Sequence, residues 1–148
     1  MSVLKLKPLV ENFLKPEYKS EYSAGFDIYL QNDVTLTIGE HNIINLGFAS
    51  EIPQGYVALL LPRSSFGIKG GQVRNTIGVI DSDYRGEWIA HITVDNDGSN
   101  KLGDKLEYKR GDRILQCVLV PVGNMPIELS DTLSDTNRGA GGFGSTGK

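Results

Sequence analysis

One cysteine in 148 residues, Cys117, excludes an intrachain disulfide framework and any zinc site built on several thiolates. It lies in the apolar run 114–120, where a buried structural thiol is expected rather than a reactive one. The two histidines, His41 and His91, have no Cys or Glu at ligand spacing. Both are read as surface or sheet residues, not as metal ligands. No apolar run approaches the ~18 residues of a membrane-spanning helix, and lysines interrupt residues 1–10 where a signal peptide would be apolar. Cationic excess is lacking too. A net charge of −3 argues against a duplex nucleic-acid binder, which would carry a basic face. A small polyanion stays within reach, because a few well-placed arginines are enough to hold phosphates.

A sustained helical period is also missing. Instead, short β-branched or alternating runs recur at 3–7, 26–30, 34–38, 43–49, 56–61, 89–94 and 114–120. Turn-forming clusters of Gly, Pro, Asn and Asp separate them, and the 18 glycines suit a chain with many turns and bulges. The expectation is one all-β domain, a distorted jelly roll or β-sandwich. The run 57–61 alternates little, which predicts cover on both of its faces and hence an oligomer. The only compositional break is at 138–148, RGAGGFGSTGK, with five glycines and one large apolar side chain, Phe143. Such a stretch cannot bury enough surface to fold alone, so the domain is assigned to 1–137 and a mobile arm to 138–148.

That arm nearly spells a phosphate loop. Residues 142–148 match seven positions of G-x-x-x-x-G-K-[ST], but neither the hydroxyl residue nor the helix the loop requires is there. The physics still carries over: successive glycine amides can wrap an anion, and Arg138, Ser145 and Thr146 add charge and donors. A disordered tail is the plainer reading, and Phe143, a lone aromatic fit to dock, is the residue that speaks against it.

Three further segments carry chemistry. In LPRSSFG at 61–67 a strand ends at Pro62 and delivers Arg63, Ser64 and Ser65 together, a guanidinium fork beside two short donors. A surface arginine with capping serines would explain it equally. In NTIGVIDSDYRG at 75–86 an apolar strand brings Asp81 to a turn, where a carboxylate can orient and deprotonate a water. Asp83 is expected to face solvent, since a second close carboxylate would raise the pKa of one of the pair. An Asp-rich hairpin turn is the alternative. SAGFDI at 23–28 supplies Asp27, and GDRILQ at 111–116 supplies Arg113 and Gln116. Together these are the parts of phosphoryl-transfer chemistry: carboxylates for a base and a hydrated Mg²⁺, arginines for oxygens, and an arm to exclude water.

AGFDI at 24–28, PRSS at 62–65, NTIGVIDSDYRG at 75–86, GDRILQ at 111–116 and RGAGGFGSTG at 138–147 follow one another as in the homotrimeric deoxyuridine triphosphatase (dUTPase) family, which this sequence resembles from Ala24 to Gly147. The resemblance implies a dUTPase-like β-clip fold and a homotrimer with three composite active sites. It also implies Mg²⁺-dependent hydrolysis of dUTP to dUMP and pyrophosphate, which limits uracil incorporation into DNA and supplies dUMP for dTMP synthesis. By the same resemblance Asp81 activates the water that strikes the α-phosphorus. Tyr84 packs under the deoxyribose, and Asn75 with the main chain through Gly78, Val79 and Ile80 reads the uracil edge. Arg63, Ser64 and Ser65 bind phosphates from a neighbouring subunit, Gln116 lies near them, and Asp27 touches the water shell of a Mg²⁺ held mainly by the substrate. Phe143 stacks on uracil, while Arg138, Gly144, Ser145 and Thr146 close on the γ-phosphate. No nucleic acid or membrane partner is implied. The compartment is the cytoplasm, or the host cytoplasm or nucleus for a viral source. Two rivals stay open: the related dCTP deaminases, although EWIAH at 87–91 stands where they resemble one another in Thr-Leu-Glu, and a non-catalytic jelly-roll binding module.

Overall fold

The computed structural model describes residues 2–96 and 101–144. Eleven strands and one helical turn follow in order: β1 (Lys5–Pro8), β2 (Gly25–Ile28), β3 (Val34–Thr37), β4 (Asn42–Asn45), β5 (Phe48–Glu51), β6 (Tyr56–Pro62), α1 (Ser64–Gly67), β7 (Gly71–Val73), β8 (Gly78–Ile80), β9 (Ile89–Val94), β10 (Lys105–Tyr108) and β11 (Leu115–Pro121). They form antiparallel sheets in the orders β2-β11-β6-β8, β4-β9-β7, β1-β5 and β3-β10. The all-β, jelly-roll-like expectation holds. No described helix is long and apolar enough to cross a membrane.

One core joins the sheets. Phe48 and Trp88 pack at its centre with ring centroids 4.9 Å apart, and the Trp88 indole N–H donates to Ser50 Oγ at 3.0 Å, so its polar atom is satisfied in the interior. Each such side chain contributes ~1.5–3 kcal/mol through burial. Cys117 is fully buried opposite Phe26 and Leu60. Burial pushes its thiol up to about 12, which makes it the inert structural thiol its apolar run predicts.

The strand map differs from sequence expectation in places with physical causes. The run 43–49 breaks into β4 and β5 at Gly47, which sits at φ 78° with its N–H donating to Glu87 Oε1 at 3.1 Å. A Cβ there would stand 2.9 Å from Gln31 Cγ and would strain the left-handed backbone, so the chain turns at this glycine and β5 joins another sheet. β10 was not apparent because its charged residues mask a short alternation in which Leu106 and Tyr108 turn inward against β3. β7 is too short to leave a pattern.

Strand β6 is covered on one face only by its own chain. Within this chain Ala58 and Leu60 are buried, whereas Val57, Leu59 and Leu61 are only half-covered. Their register partners Val118, Val120 and Val79 share that outer face, and no second layer of the described chain lies over it. The low alternation of 57–61 therefore reflects one covered face and one apolar face left partly open. The two histidines are exposed on the sheet β4-β9-β7 and meet there, His41 Nε2 to His91 Nδ1 at 2.7 Å.

Candidate active site

Strand β6 ends at Pro62 and hands its next residue, Arg63, to the adjoining ends of β2 and β11. Arg63 N–H donates to Ile114 O at 2.8 Å, and its guanidinium donates from NH1 to Arg113 O at 3.1 Å. Its Nε lies 3.0 Å from Asp27 Oδ1, while Arg113 NH1 donates to the other oxygen, Oδ2, at 3.0 Å. Asp27 is buried and held between two guanidinium groups, one on each oxygen, whose charge-assisted bonds offset the desolvation of its carboxylate. Gln116 pairs with Asp27 in register and donates from Nε2 to Pro62 O at 3.1 Å. Arg63, Ser64, Asp27 and Gln116 line one cavity of about 360 Å³. Ser65, on the exposed side of α1, faces the adjacent cavity with Arg113 instead.

The carboxylate segment lies elsewhere. β7 and β8 belong to different sheets, and the turn that links them holds Asn75 and Thr76 at its tip, with Thr76 N–H donating to Val73 O at 2.8 Å. Thr76 sits at φ 69°, a left-handed conformation that costs a β-branched residue of order 1–3 kcal/mol. Beyond the tip, Gly78 approaches Leu60 so closely that a Cβ would stand 2.9 Å from the Leu60 Cβ, which keeps β8 flush against β6. Asp81 follows. Its carbonyl accepts from Tyr84 N–H at 3.1 Å, and Arg85 NH1 donates to Ser82 O at 2.7 Å, so the turn is braced by its own residues. Tyr84 O–H donates to Glu87 O at 3.0 Å and its ring lies over Gly86, where any side chain would collide. The strand leading to Asp81 is less buried than its apolar sequence implies: Val79 is 59% exposed, because β8 is an edge strand on the partly open face. Asp83 is exposed, as expected.

Asp81 lines a cavity of about 1030 Å³ with Val57, Leu59, Val79 and Arg85, and that cavity shares no lining residue with the one around Arg63. One chain therefore brings Arg63, Ser64, Asp27 and Gln116 together and does not bring Asp81 to them. The arm joins neither. Arg138 Nε donates to Gly141 O at 2.8 Å within the arm, Phe143 is fully exposed at φ 51°, and Gly144 is exposed; Ser145 and Thr146 lie outside the described residues. From Val122 to Gly144 there is no strand, and Met125, Ile127, Leu129 and Leu133 stand in solvent.

Arg113, which sequence reasoning counted among the arginines for phosphate oxygens, is bonded here to Asp27. Its clamp on Asp27 is visible only once β2 and β11 pair, although its place two positions before β11 was a signal. Among the described residues no group of three or more His, Cys, Asp or Glu could cage a metal ion. Asp27 nevertheless keeps acceptor capacity beyond its two arginine bonds, since a carboxylate has about four lone-pair sites. Its donor set fits a Mg²⁺ reached through water, not one bound directly.

An all-β domain with an arginine–serine cradle at one strand end and a carboxylate turn at another defines a class of nucleotide-binding β proteins. The family model for dUTPase matches residues 11–147, and the chain belongs to the dUTPase family. It is 44% identical over 146 residues to the deoxyuridine 5'-triphosphate nucleotidohydrolase of Nautilia profundicola, spanning 98% of this chain and 99% of that protein. Identity is also 44% over 150 residues to the enzyme of the same name from Bdellovibrio bacteriovorus, with 98% and 96% covered. The fold matches a Staphylococcus bacteriophage 80alpha dUTPase G164S mutant with dUpNHpp at a TM-score of 0.86 and 27% identity, covering all of both chains. It also matches a D95N mutant dUTPase from phage phi11, described with a structural Mg(II) ion, at 0.75 and 27% identity over 88% of this chain and 97% of that one.

Proposed function

We propose that this chain hydrolyses dUTP to dUMP and pyrophosphate at sites shared between copies of itself, and acts in the cytoplasm. The observation that carries the shared site is the division of the parts: the phosphate cradle and Asp81 line separate cavities of one chain. A homotrimer reconciles them by setting the cradle of one copy against the Asp81 turn of another. The half-covered face of Val57, Leu59 and Val79 and the exposed Met125, Ile127 and Leu129 support this reading, since apolar area of this kind is what an assembly covers.

In the assembled site Asp81 accepts a proton from the water that attacks the α-phosphorus in line, and pyrophosphate leaves from the opposite side. Arg63, Ser64, Ser65 and Gln116 hold the phosphate chain. Asp27 fixes the Arg63 fork, so its oxygen-binding geometry is set before substrate arrives. Asn75 and the main chain of Gly78, Val79 and Ile80 read the uracil edge, from the side of β8 that pairs with no other described strand. Cytosine would exchange an acceptor for a donor and leave a buried mismatch of ~1–3 kcal/mol. Tyr84, held over Gly86 by its bond to Glu87 O, leaves no room for a 2′-hydroxyl. Phe143 caps the base, and Arg138, Gly144, Ser145 and Thr146 close on the γ-phosphate. Mg²⁺, held mainly by the substrate and touched by Asp27 through water, would neutralise phosphate charge.

Incubating the full chain with dUTP, dCTP or UTP and Mg²⁺, then assaying pyrophosphate and ammonia, tests the assignment. Pyrophosphate from dUTP is expected, with kcat/KM for dCTP and UTP lower by at least about 10²-fold. Ammonia from dCTP would make the chain a deaminase, and silence on all three would make it a binding module.

A further inference from the structure

The cavity around Arg63 has a wall that none of the five motif segments supplies. Before β2, Glu17 forms an isolated antiparallel bridge with Asp27, its N–H donating to Asp27 O at 3.2 Å and its O accepting from Asp27 N–H at 3.0 Å. That bridge brings Lys19, two residues on, to the cavity lined by Arg63, Ser64 and Gln116. The Lys19 ammonium donates to Glu17 Oε1 and to Tyr29 Oη, and Tyr29 O–H donates to the same carboxylate oxygen. Lys19 Nζ also stands 4.9 Å from the Tyr29 ring centroid, and the Arg113 guanidinium carbon lies 5.8 Å from the same ring.

This is an expensive way to hold a surface lysine. Exposed ion pairs contribute little to stability, and a free lysine side chain loses rotamer entropy when fixed. What the arrangement does accomplish is to hold a cationic residue in place in the lining of the cavity that Arg63 and Ser64 share. Lys19, Arg63 and Arg113 face two carboxylates, Glu17 and Asp27, so this corner carries one net positive charge. Removing Lys19 makes it neutral. An ammonium has three donors, of which Glu17 and Tyr29 take two, leaving one for a phosphate oxygen. The Glu17 bond raises the Lys19 pKa, and the Lys19 and Tyr29 bonds lower that of Glu17, so both stay charged at neutral pH.

We propose that Lys19 is a substrate-binding residue of this site, an ammonium at the cavity mouth that engages the phosphate chain of the triphosphate and of the pyrophosphate product. The inference rests on the dUTP-hydrolysing reading and extends it to a residue outside its motifs.

The test compares the full chain with Lys19→Met, Lys19→Gln and Lys19→Arg, measuring dUTP kinetics and inhibition by inorganic pyrophosphate at about 50 and 200 mM salt, one Debye regime apart. Loss of the charge is expected to raise KM and the pyrophosphate inhibition constant about five- to tenfold at low salt and less at high salt, with kcat within about twofold. Lys19→Arg restores both. Unchanged pyrophosphate inhibition in Lys19→Met and Lys19→Gln overturns the proposal, as does a fall in Tm with KM and inhibition intact, which would make Lys19 a brace for Tyr29. Failure of the wild-type chain to turn over dUTP sinks the underlying reading instead. Calorimetric titration of pyrophosphate into wild type and Lys19→Gln then still decides the role of Lys19.

Discussion

Asp81→Asn is expected to bind dUTP with near wild-type affinity and to turn it over about 10²–10⁴ times more slowly, the usual cost of losing a general base. The two side chains are close to isosteric, but an amide cannot take a proton from water at neutral pH. The fold gives the substitution little else to disturb. Asp81 is exposed at the end of β8, its carboxylate makes no ion pair or hydrogen bond among the described residues, and the turn is held by its carbonyl and by Arg85, both unaffected. Tm should therefore stay within about 2 °C of wild type, as for a surface change away from any packing or capping role. Steady-state kinetics with a parallel dUTP titration check both halves. Turnover near the wild-type rate would remove Asp81 from the role of base.

Truncation after Asn137 is expected to cut kcat/KM by on the order of 10³ while leaving Tm within about 2 °C. The asymmetry follows from where the arm spends its contacts. Arg138 bonds to Gly141 within the arm, Gly139 N–H to Thr136, and Phe143 is fully exposed, so the described residues of the arm, 138–144, cover no apolar surface of the core. In the closed site proposed above the same residues would cap the base, exclude water and add a cation at the γ-phosphate, effects that act on the bound triphosphate alone. Thermal melts and dUTP kinetics on the truncated chain read the two quantities separately. A drop of many degrees with a small loss of activity would make the arm a structural strap.

Much of this was legible in the residues themselves. β-branched runs between Gly, Pro, Asn and Asp clusters gave the all-β class, and β6, β9 and β11 lie within a residue or two of the runs at 56–61, 89–94 and 114–120. Cys117 fell in an apolar run and is buried. What escaped depended on pairing across distant segments. Gly47 ends β4 because Gln31 and Glu87, remote in sequence, crowd and bond it. Lys19 carries no local mark that separates it from other surface cations, and the motif around Arg113 did not show its bond to Asp27; the Glu17–Asp27 bridge and the β2–β11 ladder bring both to Arg63. The division of the site escaped from residue patterns for a deeper reason. A motif says which groups are needed, not which copy of the chain supplies them.

That division is the central claim, and mixing two inactive variants tests it most directly. Full chains bearing Asp81→Asn and Arg63→Gln, each inactive alone, are co-assembled in equal amounts and assayed with dUTP. If Asp81 and Arg63 of one site come from different copies, random assembly leaves about one quarter of the sites with both residues intact, and about a quarter of wild-type activity returns. If one chain supplies both, no site is ever complete and activity stays at the level of the separate variants, which would contradict the account.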